Sequence, residues 1–201
     1  MKLRQSDMPE ESYWETLFDV NGILERLHLG KDLRDVVELG CGYGTFSLPV
    51  AAAISGVLRS FDIEAAMVER TRLRARERGV SNLLCEQRDV FRYGFGVAPA
   101  SQDGCLLFNI LHCEQPVRVL REAARVIAGN GSVFVIHWRY DPATPRGPSL
   151  DIRPRPQDCI RWAEEAALRP PGNDVIDLPP YHYGLVLKKY CETKKGGQGP
   201  L

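Results

Sequence analysis

Residues 36–45 read Val36-Val37-Glu38-Leu39-Gly40-Cys41-Gly42-Tyr43-Gly44-Thr45, a short apolar run followed by three glycines at alternate positions. Glycines between a strand and a helix allow a sharp turn and a close approach of the backbone to a ligand. The dinucleotide fingerprint is G-x-G-x-x-G, but here Thr45 stands in the place of its third glycine. The loop therefore indicates a nucleotide-like cofactor and disfavours NAD.

Apolar runs and helical patterns alternate along the rest of the chain, which predicts parallel strands joined by crossover helices in an α/β domain. We predict strands near Asp35–Leu39, Gly56–Phe61, Asn82–Glu86, Gly104–Phe108 and Ser132–His137. Helices are expected at Ser12–Leu29, Thr45–Ala53, Ile63–Arg78, Pro116–Ile127 and Gln157–Leu168. Two late segments, Asp174–Leu178 and Tyr183–Lys188, are expected to form an antiparallel hairpin through Pro179 and Pro180.

Polar side chains follow the second, third and fourth predicted strands. Asp62 stands 18 residues after Gly44, a position from which an acid reaches ribose hydroxyls in this architecture. Asp89 and Asn109 follow the next two strands. All three are expected at the carboxyl edge of the sheet, where open α/β sheets bind ligands. The alternative is that the acids only cap turns and helices.

With these residues the sequence resembles the class I S-adenosylmethionine-dependent methyltransferases over roughly residues 35–137, with a continuation to 189. The resemblance implies a Rossmann-like three-layer sandwich with a seven-stranded, mostly parallel sheet whose last strand is antiparallel. It also implies S-adenosyl-L-methionine as cofactor and S-adenosyl-L-homocysteine as product.

The same resemblance assigns roles by position. The loop beside the methionine moiety would contain Glu38, Gly40, Cys41, Gly42 and Gly44. Asp62 would hold the ribose, Ile63 would pack on the adenine, and Asp89 would accept a hydrogen bond from the adenine amino group. Val90 would offer its backbone amide, and Asn109 would lie on the sulfonium side.

His112 is the candidate catalytic residue, as a base or as a ligand of the substrate. It follows the fourth strand, in the segment that the family places beside the reactive methyl group, and an imidazole transfers protons near neutral pH. A base is optional, because a thiolate, phenolate or carboxylate attacks without one. The alternative is a surface histidine at the start of the next helix.

Five further residues are candidate substrate contacts. His137, Arg139 and Tyr140 follow the fifth strand, and Arg139 could clamp a carboxylate or phosphate. The alternative is a strand end packed beneath its own loop. Tyr13 and Trp14 would belong to a leading helix that closes over the cofactor as a lid, as is frequent in the family, or that simply docks on the sheet.

Composition indicates a small partner. Lys plus Arg equals Asp plus Glu, 26 each, so no strong field attracts nucleic acid or a membrane. The arginine run 70–78 is interpreted as a solvated helix surface. We expect a cytoplasmic enzyme acting on a small molecule, with no nucleic acid and no membrane. The alternatives are methylation of RNA or protein, or a non-catalytic sensor or assembly subunit that binds S-adenosylmethionine.

The domain plan has three parts: a helical lead-in or lid over residues 1–30, the methyltransferase domain over 31–190, and a flexible tail over 191–201. Prolines interrupt a loop over 142–156 whose role the sequence does not indicate. Six dispersed cysteines are expected to be reduced thiols, with no metal site.

Overall fold

Five neighbouring parallel strands form most of the sheet in a computed structural model that describes residues 8–172 and 174–190. They are β1 (Val36–Leu39), β2 (Leu58–Asp62), β3 (Leu83–Gln87), β4 (Gln102–Phe108) and β5 (Ile127–Trp138). Three later strands follow: β6 (Leu168–Arg169), β7 (Ile176–Leu178) and β8 (His182–Lys189). The spatial order is β3-β2-β1-β4-β5-β8-β6, with β7 also paired to β8. β8 is antiparallel to β5, which confirms the predicted Rossmann-like sheet.

Two details of the sheet differ from the prediction. The place of a single sixth strand is taken by β6 and β7, two short strands that both pair with β8. β5 begins at Ile127 rather than near Ser132, because its pairing with β4 continues across an irregularity between Gln102 and Gly104. The predicted late hairpin is present as β7 and β8.

The helices cover both faces of the sheet, as buried parallel strands require. They are α1 (Glu11–Glu15), α2 (Val20–Arg26), α3 (Ser47–Ala53), α4 (Ala65–Glu77), α5 (Val90–Tyr93), α6 (Pro116–Val126) and α7 (Pro156–Glu164). One core cluster contains the buried residues of α2, α3 and α4, and the other those of α6 and α7. Neighbouring residues of one strand, such as Val36 and Val37, enter opposite clusters.

The prediction of one continuous leading helix over Ser12–Leu29 is wrong, because α1 ends at Glu15 and α2 begins at Val20. The break is stabilised by Asp19, whose carboxylate accepts the backbone N–H of Gly22 as a helix cap. α7 is also shorter than predicted, since the chain takes a left-handed turn at Ala167 before β6.

Ion pairs fasten α1 to α4 and correct the interpretation of the arginine run. Arg70 binds Glu11, with 2.6 Å between Nε and Oε2. Arg74, with only 6% of its side chain exposed, binds Glu15 at 2.5 Å and donates to the backbone oxygen of Tyr43 at 2.7 Å. Arg74 is therefore a buried tie between the N-terminal segment and the glycine loop rather than part of a solvated surface.

Within the part of the chain that the structure describes, no helix is long and apolar enough to cross a bilayer. The predicted tail over 191–201 lies outside the described residues, as do residues 1–7 of the predicted lead-in.

Candidate functional site

A cavity of about 600 Å³ opens at the carboxyl edge of the central strands. Its wall begins at the end of β1 and β2, continues through the segment after β4, and is completed by the loop before α7. The wall residues include Gly40, Asp62, Ile63, Glu64, Arg88, Asp89, Phe91, Asn109, Ile110, Leu111, His112, Cys113, Glu114, Asp151, Ile152, Arg153, Pro154, Asp158 and Trp162. The strand ends thus converge on one space, as the parallel sheet predicts.

The glycine loop has a backbone conformation that residues with a side chain rarely adopt. Gly40, Gly42 and Gly44 have φ angles of 86°, 50° and 77°, all in the left-handed region. A Cβ atom on Gly44 would lie 2.3 Å from Cδ1 of Leu48 and 3.0 Å from Cγ2 of Thr71, so these side chains would have to shift. Of the three glycines, Gly40 lies on the cavity wall.

Glu38 lies beneath the loop and not in the cavity wall. Its carboxylate accepts hydrogen bonds from the hydroxyls of Ser47 and Ser60, both at 2.5 Å. Burial raises the pKa of Glu38 to about 7, although the two hydroxyls oppose the shift. Its placement favours a structural role that links β1, β2 and α3 over the predicted contact with the methionine moiety.

Cys41, Gly42, Gly44 and Val90 also lie outside the cavity wall. Cys41 is 4% exposed and belongs to the apolar core on the α2 to α4 side, while Val90 is 6% exposed and belongs to the opposite core. Gly42 contributes through its backbone, because its N–H binds Asp62. The glycine signature therefore describes the shape of the loop more than its contact surface.

Asp62 both organises the loop and faces the cavity. Its Oδ2 accepts the backbone N–H of Gly42 and its Oδ1 accepts that of Glu64, each at 3.0 Å. Asp89 has a similar double placement, because it caps α5 through the N–H of Arg92 at 3.0 Å and lines the cavity. Asp62 and Asp89 therefore each bind backbone N–H groups of their own turn and also line the cavity, so the two interpretations of these acids are compatible.

Asn109 turns the chain at the end of β4. Its φ is 56°, a conformation that asparagine tolerates better than most residues, and its backbone N–H binds the oxygen of Ile136 at 2.8 Å. Its buried Oδ1 has no hydrogen-bond partner within residues 8–172 and 174–190. A buried acceptor in a cavity wall is suited to a donor from a ligand.

His112 stands on the cavity wall and contacts a second histidine behind it. Its Nδ1 lies 3.3 Å from Nε2 of His137, and the two rings are nearly perpendicular. His137 is completely buried, and burial is the main cause that lowers its pKa well below the ordinary value. His137 is therefore neutral at neutral pH and supports His112 without reaching the cavity itself.

Arg139 and Tyr140 are not brought to the cavity. The guanidinium of Arg139 pairs with the carboxylate of Asp177 and donates to the backbone oxygen of His182. Tyr140 is covered by the guanidinium of Arg155, 4.0 Å from the ring centroid. The chain direction after β5 carries Arg139 to the β7–β8 hairpin, whereas Tyr140 contacts the residue before α7, so the predicted substrate clamp has no support from their placement.

Tyr13 and Trp14 also lie away from the wall. Tyr13 is 43% exposed, whereas Trp14 packs edge-on against Phe18 and Trp138 with ring centroids 4.9 Å and 6.2 Å away. Trp14 therefore docks on the protein core, as the alternative to a lid expected. Within the described residues, the leading segment does not cover the cavity.

The loop over 142–156 contributes wall residues that the sequence did not identify. Arg153 folds this loop around itself, donating to the backbone oxygens of Pro148, Arg139 and Asp141 at 2.7 to 3.1 Å. This arrangement places Ile152 and Pro154 on the cavity wall. In the sequence, only an arginine among closely spaced prolines indicated this loop. Its role could not be inferred, because Arg153 binds backbone oxygens that precede the loop.

The wall is more acidic than basic. Carboxylates are contributed by Asp62, Glu64, Asp89, Glu114, Asp151 and Asp158, and guanidinium groups by Arg88 and Arg153. Arg88 donates to the oxygen of Gly94 at 2.7 Å, and Arg153 is taken up by its own loop. Such a wall favours a ligand that carries positive charge.

Comparison with known families gives the class. Residues 36–131 match the family described as "Methyltransferase domain". This segment, just under half of the chain, is therefore similar to a methyltransferase domain. This result confirms the predicted class and, with it, the prediction of S-adenosylmethionine as cofactor. The matched segment begins with β1 and the glycine loop and ends within β5.

Relatives of this methyltransferase domain differ in their acceptors. A 23S rRNA (uracil(1939)-C(5))-methyltransferase RlmD of Pseudomonas aeruginosa is 32% identical over 109 residues, which cover 54% of this chain and 23% of the relative. The chain thus spans about a quarter of the length of the curated relatives that it matches.

Solved structures share the fold at low identity. A SAM dependent methyltransferase from Aquifex aeolicus has a TM-score of 0.77 and 19% identity, covering 89% of this chain and 93% of that one. The [4+2]-cyclase SpnF has a TM-score of 0.68 and 16% identity, covering 91% and 84%. The O-methyltransferase NcsB1 from neocarzinostatin biosynthesis has a TM-score of 0.65 and 20% identity, covering 85% and 53%. Methyl transfer and cyclisation therefore both occur on this fold.

Proposed function

We propose that the protein binds S-adenosylmethionine in the cavity and transfers its methyl group to a small-molecule acceptor. The observation that carries the proposal is that one continuous cavity joins the strand-end acids Asp62 and Asp89 to the segment around His112. Its volume of about 600 Å³ falls in the range of small-molecule sites. When bound, the cofactor supplies a methyl group already activated on a sulfonium.

The residues of this chain divide into a donor end and an acceptor end. Gly40, Asp62, Ile63 and Asp89 would hold the nucleoside, as the class resemblance implies. His112 would contact the acceptor, beside apolar groups such as Ile152 and Trp162 that line the same space. Such a site accelerates an in-line displacement mainly through alignment and exclusion of water.

The excess of carboxylates on the wall supports this ligand. S-adenosylmethionine carries a fixed positive charge on sulfur, which a wall with six carboxylates and two guanidinium groups stabilises. Both guanidinium groups on the wall, Arg88 and Arg153, already donate to backbone oxygens. A phosphate-rich dinucleotide would meet a wall with an excess of its own sign of charge and would be repelled.

A small acceptor is favoured by the charge distribution. The formal net charge of the chain is zero, and Arg70 and Arg74 of the arginine run are paired with Glu11 and Glu15. Few unpaired cations of that run are left to bind the phosphates that contribute most to RNA affinity.

Asp62→Asn tests the donor end by calorimetric titration with S-adenosylhomocysteine. Loss of a charged hydrogen bond to ribose should weaken affinity about 10- to 100-fold. Asp103→Asn is a matched control, because Asp103 also accepts two backbone N–H groups, from Arg34 at 2.8 Å and Asp35 at 3.1 Å, but lies outside this cavity. Equal affinities of the two variants would remove Asp62 from the site. Binding of NAD instead of S-adenosylhomocysteine would refute the proposed function.

Methylation of RNA is the second candidate, favoured by the 32% identity with the rRNA methyltransferase over 109 residues. Transfer of a labelled methyl group from S-adenosylmethionine to total RNA, compared with transfer to a low-molecular-weight metabolite fraction, separates the two. We expect label in the metabolite fraction. Label confined to RNA would overturn the small-molecule proposal and leave the cofactor assignment intact.

A further inference from the structure

A second cavity, of about 300 Å³, lies between α5 and α6. It adjoins the cavity proposed for the cofactor, because Phe91 lines both. Val90 and Val119 add further apolar side chains to its wall. The volume is at the lower end of the range for small-molecule sites. The pocket therefore has room for a small ligand.

Three arginines of α6 line this pocket. Arg118, Arg121 and Arg125 follow one another at intervals of three and four residues, so they lie along one face of the helix. Arg125 is already neutralised, because its Nε and Nη2 donate to the two carboxylate oxygens of Glu122 at 2.7 and 2.8 Å. Glu122 also accepts the backbone N–H of Phe95 at 2.8 Å, which holds the pair in place. Of the described residues that line the pocket, Glu122 is the only carboxylate.

Arg118 and Arg121 have their positive charges available for a ligand. Both residues are exposed, and within the described part of the chain neither forms an ion pair. Arg121 makes one long hydrogen bond, from Nη2 to the backbone oxygen of Glu165 at 3.4 Å, which leaves most of its N–H groups for another acceptor. Like charges at this spacing on a helix repel each other. An anion bound between the two guanidinium groups would relieve this repulsion and be attracted by both.

The chemistry of these two side chains favours a phosphate group as the anion. A phosphate monoester carries about two negative charges near neutral pH, which match two guanidinium groups. The forked N–H groups of arginine also fit the geometry of phosphate oxygens. A carboxylate would neutralise only one of the two arginines.

We propose that the pocket between α5 and α6 binds a small phosphate monoester, whose phosphate group is held by Arg118 and Arg121 and whose apolar part packs on Phe91. This site is separate from the proposed methyl-transfer site and does not depend on it. An RNA strand is disfavoured as the occupant, because its binding relies on a row of available cations. The third arginine of this row is neutralised by its own carboxylate partner.

The test is a titration of the protein with phenyl phosphate, followed through the arginine Nε–H signals in a ¹H–¹⁵N correlation spectrum near neutral pH. We expect the signals of Arg118 and Arg121 to shift and to saturate. Dimethyl phosphate, a diester with a single charge, should bind about tenfold more weakly. The absence of a shift at both arginines, or equal affinities for the two phosphates, would overturn the proposal.

Two variants show whether the arginine pair forms the site. Arg118→Gln should weaken the binding of phenyl phosphate about tenfold, because a charge-assisted hydrogen bond is lost. Arg76→Gln is the matched control, because Arg76 is an exposed arginine of α4 that does not line this pocket. Equal affinities of the two variants would remove Arg118 from the site. Tighter binding of a single-stranded RNA oligonucleotide than of phenyl phosphate at these arginines would also contradict the proposal, since RNA would then be the occupant.

Discussion

His182 is expected to make the stability of the protein fall as the solution becomes acidic. Its ring is fully buried, stacks at 4.5 Å on Phe18 and lies 4.2 Å from Trp138. Among the described residues, neither ring nitrogen has a hydrogen-bond partner. Burial, followed by the charges of Arg139 and Arg153, lowers the pKa of His182 from 6.5 to about 3.

The free energy of unfolding depends on pH because the folded and unfolded states bind a proton at His182 at different pH values. Below pH 6.5 the unfolded chain binds a proton at this histidine, whereas the folded protein does not until about pH 3. The stabilising contribution is therefore complete above 6.5 and is lost as the pH falls toward 3. Between pH 7.5 and pH 5.0 the loss amounts to about 2 kcal/mol in the free energy of unfolding.

His182→Phe removes the titrating group and keeps an aromatic ring against Phe18 and Trp138. The free energy of unfolding, measured by urea denaturation at pH 7.5 and pH 5.0, should fall by about 2 kcal/mol less in the variant than in the wild type. Replacement of the exposed His28 by Asn is the control for the substitution of a histidine as such. Equal losses in the wild type and His182→Phe would refute the reasoning.

Two further predictions concern the cofactor loop. Glu38→Gln should remove a pH dependence of stability whose sign is opposite to that of His182. Because burial raises the pKa of Glu38 from 4.5 to about 7, the wild type loses stability as the pH rises from about 4.5 through 7. Urea denaturation should show that the free energy of unfolding changes less with pH in the variant over this range. Gly44→Ala should destabilise the protein by more than about 1 kcal/mol, because its φ is 77° and its Cβ would lie 2.3 Å from Leu48. Gly129→Ala, where a Cβ meets nothing within 4 Å, is the control, and equal melting temperatures for the two glycine variants would contradict the steric argument.

Patterns within a few residues were sufficient to predict the sheet and one end of the site. The glycine loop, Asp62, Asp89 and Asn109 all lie within two residues of the end of a strand, and parallel strands bring their carboxyl ends to one edge whatever the packing above them. Gly40 and these three polar residues accordingly share one cavity wall.

The proposed acceptor end could not be predicted in the same way, because its contacts join distant parts of the chain. Arg139 follows a strand as Asp62 does, yet its partner Asp177 comes from the β7–β8 hairpin and turns it away from the cavity. Arg153 shapes a cavity wall only through backbone oxygens that lie up to 14 residues away along the chain.

The sequence by itself predicted the class of the domain, the shape of the glycine loop and the edge of the sheet at which the cavity opens, because glycine spacing and strand periodicity are local properties. Only the tertiary structure decided that Glu38 lies beneath the loop, that the arginines of α4 bind α1, and that His112 meets His137. These contacts depend on which faces of strands and helices meet, and that register is set by the packing of both cores at once.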